Sequence, residues 1–294
     1  MKKIAILFSI TLLSFSCKNE IKPEITPETG WTKLLDTELS QWDTYLSYAL
    51  QEGYKGEVPK DANGEELAPI GLNKSGYDVF TVAAEENKPV LRVSGEIYGC
   101  VVSKKEYKNY HLKLQTKWGD LKSGLRKNKL KDSGIMYHSI GPLGTDYFKS
   151  WMLSQEFQVM KGHTGDYWSQ QSSAIDIRAI PSEGMVNAIA DNNANFIPFG
   201  EGEATIYCVR AVNNEKPNND WNTLELICFE GKSLHIVNGE VVMILKNSRN
   251  IVNGKAVPLV KGKIQLQSEG AETFYKNIEI KEITTIPTKY TALF

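Results

Sequence analysis

The sequence predicts an all-β protein, a jelly-roll β-sandwich by preference, and three observations carry the prediction. Short runs rich in Val, Ile, Tyr and Phe recur between Gly, Asn and Pro punctuation. An Asn238-Gly239 pair stands between two apolar runs, a two-residue hairpin signal because both residues tolerate positive φ. No comparably long amphipathic helical pattern follows the N-terminal segment, and a many-stranded chain of this length folds as a sandwich or barrel.

Taken in order, the chain opens with Lys2 and Lys3, an apolar run from Ile4 to Leu13, and Ser16-Cys17. This is the pattern of a cleaved export signal over residues 1–16, and the run is too short to span a bilayer. A small residue before Cys17 resembles the bacterial lipobox, which implies lipidation of Cys17. Ser14 departs from the usual Leu of that motif. Residues 17–29, with Pro23 and Pro27, read as the lipidated cysteine and a polar tether, and residues 30–294 as one β-sandwich domain. The expected location is an outer-membrane anchor facing the periplasm or the cell surface.

Strand-like runs follow at Tyr77 to Val82, Val90 to Val93, Tyr110 to Thr116 and Ile135 to His138. Later ones are Ala204 to Val212, Thr223 to Phe229, Leu234 to Val237, Val241 to Leu245, Lys263 to Gln267 and Phe274 to Ile280. Asp43 to Lys74 and Pro181 to Gly202 read as insertions, the kind of loop that shapes a site on a β scaffold. Cys208 and Cys228 lie in successive strand-like runs, so they either pair across a hairpin or remain buried thiols. The 294 residues carry a net charge of −1 and are 41% hydrophobic, a balance that disfavours a nucleic-acid partner. The chain has no strand–GxGxxG–helix context for a nicotinamide cofactor.

Chemistry-bearing residues concentrate between Asp132 and Trp168: Asp132-Ser-Gly-Ile-Met-Tyr-His138, then Ser154-Gln-Glu-Phe-Gln-Val159, then Gly162-His-Thr-Gly-Asp-Tyr-Trp168. Alternation in a strand sends Glu156 and Gln158 to one face and Phe157 and Val159 to the other. One face can line a cleft while the other joins a core. Carboxylates to move protons, amides for hydroxyls and aromatic rings for sugar faces together suit a carbohydrate ligand.

Several motifs in order resemble the 3-keto-disaccharide hydrolase domain family: Gly30-Trp31-Thr-Lys-Leu-Leu-Asp36, Leu39-Ser-Gln-Trp42, Tyr107-Lys-Asn-Tyr-His-Leu112, Lys117-Trp-Gly119 and Asp132-Ser-Gly134. The series continues through Trp151-Met152, Ser154-Gln-Glu156, Trp221-Asn222, Asn238-Gly239, Gly262-Lys-Ile-Gln-Leu-Gln-Ser-Glu-Gly270 and Phe274-Tyr-Lys-Asn-Ile278. The resemblance implies a concanavalin A-like jelly-roll β-sandwich that cleaves 3-keto-glycosides. A C3 ketone acidifies the C2 proton, so a modest base can remove it while the C1 substituent leaves, and water then adds back. A separate oxidoreductase would supply the ketone. Lys276 stands where many relatives have Arg, and some relatives have His near Glu269.

The catalytic candidates are Glu156, His138, His163 and Asp166. The substrate-binding candidates are Gln158, Arg126, Tyr167, Trp168, Gln267, Glu269 and Lys276. His138, Glu156, His163 and Asp166 together form an oxygen-and-nitrogen set for a divalent metal ion, although their spacing matches no specific metal motif. Trp31, Trp42 and Trp221 are expected in the core. The alternative function is a non-catalytic carbohydrate-binding lipoprotein. A conventional retaining glucanase is disfavoured because the Glu156 strand has no second acid two or four positions away.

Overall fold

A computed structural model describes residues 30–49, 57–145, 147–181, 188–200, 206–217 and 220–294. The expected export signal, Cys17 and the tether lie outside the described residues, as do parts of both expected insertions.

Two β-sheets pack face to face. The front sheet runs, neighbour to neighbour, through Gly71–Leu72, Trp42–Leu46, Gly99–Ser103, Lys263–Ser268, Asp132–Ile140, Leu153–Met160, Tyr167–Ser169, Tyr207–Val209 and Ala188–Ala190. The back sheet runs through Phe80–Glu85, Lys88–Val93, Ala271–Glu282, Tyr110–Lys122, Asn222–Phe229, Lys232–Val237, Glu240–Val252, Ser173–Ile180 and Phe196–Phe199. These pairings are antiparallel except that of Ala188–Ala190 with Tyr207–Val209. The architecture is the all-β jelly-roll sandwich that the strand pattern predicts.

Alternation builds the core. On the front sheet Ile135, Tyr137, Phe157, Val159 and Leu266 point inward and meet Leu112, Leu114, Leu224, Leu226 and Tyr275 of the back sheet. All are essentially without solvent exposure, and each large apolar side chain so buried contributes roughly 1.5–3 kcal/mol. Asn238 and Gly239 take φ of 50° and 86° and join Lys232–Val237 to Glu240–Val252, the hairpin expected from sequence.

The outer face of the front sheet is only partly covered. Tyr45, Tyr48, Tyr98, Phe148, Trp151 and Met152 close over Cys100, Val102 and Met136 and form a second apolar cluster on one half of that face. The other half is left as an open cleft. Ile286 and Tyr290 of the C-terminal segment cover Ile227, Leu234, Ile236 and Ile244 on the outside of the back sheet.

Several expectations need correction. Asp43 to Lys74 and Pro181 to Gly202 are not free of strands: they hold Trp42–Leu46 from Asp43 on, Gly71–Leu72, Ala188–Ala190 and Phe196–Phe199. Of the two alternatives left open for Cys208 and Cys228, the structure shows buried thiols, in two separate clusters. Trp42 is core and donates its indole N–H to the Leu34 carbonyl, but Trp31 and Trp221 are only partly buried. Trp221 lies beneath the ammonium groups of Lys117 and Lys276 instead.

Candidate active site

The open half of the front sheet forms a cleft of about 430 Å³, lined by Asp132, Glu156, Gln158, Arg126 and Glu269, with Trp151 and Trp168 among its walls. This volume falls in the range of small-ligand sites, roughly 300–1,000 Å³. Ser169, Gln170, Gln171 and Ile206 complete the lining.

The floor follows from strand geometry. Glu156 and Gln158 stand on Leu153–Met160 with their backs to Phe157 and Val159, which anchor the strand in the core. Register places Met136 opposite Glu156 and Gly134 opposite Gln158. Asp132 therefore lies on the same face two residues before Gly134. From the other side of that central strand, Lys263–Ser268 presents Gln267, with Glu269 just beyond the strand end. A side chain at Gly134 would collide with both the Glu156 and the Gln267 carboxamide or carboxylate oxygens. The glycine thus lets an acid and an amide from flanking strands converge above the backbone.

Charge is unevenly paired. Arg126, in the Gly124–Arg126 turn, directs one nitrogen, Nη2, at both Asp132 and Glu269, the latter at 2.5 Å. Burial is the main force raising the Asp132 carboxyl well above the usual range; the Glu269 charge adds to it, the Arg126 guanidinium opposes it, and Glu156 adds further. Burial likewise raises the Glu269 carboxyl against the pull of Arg126. Glu156 is placed differently: the Gln170 side-chain amide donates to its Oε2. Gln267 is 1% exposed, and neither polar atom of its side chain has a hydrogen-bond partner among the described residues. Buried amides of this kind are costly unless a partner meets them.

Of the residues expected from sequence, Glu156, Gln158, Arg126, Trp168 and Glu269 share this cleft, and Gln267 lies at its floor. The others lie elsewhere. His138 sits at a bulge between Tyr137 and Ile140 with φ of 52°, which breaks alternation and buries its ring beside Tyr110 and Tyr137. Burial pushes its pKa down to about 4. Asp166 has no exposed side-chain area and accepts from the backbone N–H and Nη1 of Arg210, both at 2.9 Å, and from the Tyr207 hydroxyl. His163 leans on the same carboxylate at 3.1 Å. This hydrogen-bonded cluster braces the cleft from behind, since Tyr207 packs at 4.6 Å against Trp168. Tyr167 faces the interior and donates to Gln155 Oε1 at 2.6 Å, because alternation gives the cleft to Trp168. Lys276 belongs to the back sheet, where it faces Glu85 and Trp221.

The four residues expected to hold a metal ion therefore do not converge: His163 and Asp166 meet, but Glu156 lies in the cleft and His138 in the interior. Among the described residues no group of three or more His, Cys, Asp or Glu side chains is arranged to hold one. Asp132, Trp151, Ser169, Gln170, Gln171 and Ile206 are the cleft residues that sequence reasoning left without a role. Asp132 was open to detection, because it continues the alternation of Gly134 and Met136 at the head of a chemistry-rich motif.

A family model described as the 3-keto-alpha-glucoside-1,2-lyase-like domain matches residues 30–281. None of the curated proteins compared matches the chain. Two crystal structures of Parabacteroides distasonis proteins provisionally named as glycosyl hydrolases are similar in layout. One has 17% identity over 86% of this chain and 99% of its own, with a TM-score of 0.45. The other has 16% identity over 86% of this chain and 94% of its own, with a TM-score of 0.43. A carbohydrate-binding module from Bacillus subtilis has 11% identity over 69% of this chain and 92% of its own, with a TM-score of 0.38.

Proposed function

Because the chain belongs to the 3-keto-alpha-glucoside-1,2-lyase-like family, we propose that its carbohydrate-related function is cleavage of a 3-keto-glycoside in the front-sheet cleft. The observation that carries this reading is the meeting of Glu156, Asp132, Glu269 and Arg126 on one sheet face beneath two tryptophans.

The reaction needs a base at C2, a stabiliser for charge developing on the C3 oxygen, and departure of the C1 oxygen. Glu156 serves as the base that takes the C2 proton. The electrons form the C1–C2 double bond as the C1–O bond breaks, and the unsaturated ketone then adds water, giving net hydrolysis. Arg126 supplies positive charge at the wall of the cleft for the enolate-like oxygen. Gln158, Gln267 and the tryptophans orient hydroxyls and ring faces. The ketone itself comes from an oxidation at C3, so an oxidoreductase acting before this protein is the partner activity that the reading requires.

The absence of a second acid on the Glu156 strand no longer argues against paired-carboxylate hydrolysis, because Asp132 and Glu269 arrive from other segments. Family membership is what favours elimination. The deciding experiment offers matched 3-keto-glycosides and their unoxidised parents to the purified protein and to Glu156→Gln. Cleavage confined to the keto series and abolished in the variant, with an unchanged thermal midpoint, is the expected result. Cleavage of the parents would make the protein an ordinary glycosidase, and binding without cleavage would make it a carbohydrate-binding protein.

A further inference from the structure

We propose that Asp132 is the proton donor to the departing C1 oxygen, an assignment that rests on the elimination reading of this cleft. Two kinds of carboxyl line the cleft. Glu156 accepts a hydrogen bond from the Gln170 side-chain amide. Asp132 and Glu269 instead crowd one guanidinium nitrogen of Arg126, Asp132 through Oδ2 and Glu269 through Oε1. One cation cannot compensate two buried carboxylates beside a third, so the pair retains a proton between them.

Asp132 is the better holder of that proton. It is 1% exposed against 6% for Glu269, and its Oδ1 has no hydrogen-bond partner among the described residues. The charged or titratable groups facing it are Arg126, Glu269 and Glu156, with the Tyr275 phenol behind Ser133. Burial first, then the Glu269 and Glu156 charges, raise its carboxyl, against the pull of Arg126 and of the Ser133 backbone N–H. Environments that push neighbouring carboxyls apart in acidity separate an acid from a base.

The protons balance over the cycle. Glu156 takes the C2 proton, the C1–O electron pair leaves with the departing oxygen, and that oxygen takes the Asp132 proton. In the hydration step a water adds at C1 and gives a proton to Asp132, while Glu156 returns its proton to C2.

The test is the dependence on leaving group. Asp132→Asn is assayed with a 3-keto-glucoside carrying 4-nitrophenol, which departs unaided, and with one carrying a sugar, which needs protonation. The expected result is a loss of roughly 10²–10⁴-fold on the sugar substrate and less than about tenfold on the nitrophenyl one. Exchange of the C2 proton with D2O, followed by NMR on a 3-keto sugar lacking a leaving group at C1, should survive in Asp132→Asn and vanish in Glu156→Gln. Equal losses on both substrates, or loss of exchange in Asp132→Asn, would overturn the assignment. If Asp132→Asn melts far below the parent, the wild-type protein decides. Its rate should fall with rising pH on the sugar substrate alone, and the same alkaline fall on both substrates rejects Asp132. A wild-type protein that neither exchanges C2 nor cleaves keto substrates sinks the elimination reading as a whole, a result distinct from failure of this residue.

Discussion

At Gly134 the central strand of the cleft carries no side chain, and Glu156 and Gln267 fill the space above it. Gly134→Ala is expected to separate them while leaving the backbone hydrogen bonds intact. Misplacement of a reacting group by about 1 Å costs up to roughly 10²-fold in rate. A fall in kcat of that order with a thermal midpoint close to wild type is the expected outcome, and unchanged kinetics would remove Gly134 from the positioning of Glu156. At this scale Glu156 and Gln158 were legible in sequence, because a period of two is a local property of a strand. The amide that donates to Glu156 was not: Gln170 is 14 positions away in the chain.

The Leu153–Met160 strand does two jobs with its two faces. Phe157 is wholly buried and stacks on the His235 ring at 4.3 Å, which fixes the height of Glu156 above the core. Phe157→Ala should destabilise the protein by about 3–5 kcal/mol, read from the shift of the denaturant midpoint at constant slope. A shift below about 1 kcal/mol would mean that the core refills the space, contrary to the packing described here. The neighbouring Asp132–Ile140 strand shows where alternation stops being a guide. Counting by two from Asp132 predicts Tyr137 inward and His138 outward, but the bulge after Tyr137 turns His138 into the interior. A bulge of this kind is set by pairing with strands on both sides.

The whole molecule carries a pH dependence written into its interior. Burial holds His138 at about 4 and His235 at about 3, against an ordinary value near 6.5. Below about pH 6.5 the unfolded chain therefore binds protons that the folded chain refuses, so stability falls as pH drops toward these values. For His138 alone the full effect is roughly 3 kcal/mol. Asp132 and Glu269 act oppositely: their raised values favour the folded state in acid, and that contribution is lost as pH rises through them. Unfolding midpoints measured from pH 7 to 4 should decline, and His138→Leu should flatten the decline. A wild-type profile that stays level over this range would contradict neutral burial of the two rings.

By itself the sequence determined the all-β class, the Asn238-Gly239 hairpin, the opposed faces of the Glu156 strand and the family resemblance. These are short-range properties, set by side-chain alternation, turn conformations and ordered local motifs. Only the tertiary structure decided which acids share a cleft. Arg126, Asp132, Glu156 and Glu269 meet because strands distant in the chain are neighbours in the front sheet. The same pairing sent Lys276 to the back sheet and locked His163 and Asp166 into a brace with Arg210 and Tyr207. Residue type marks what a side chain can do, whereas strand order and register choose the groups beside which it does it.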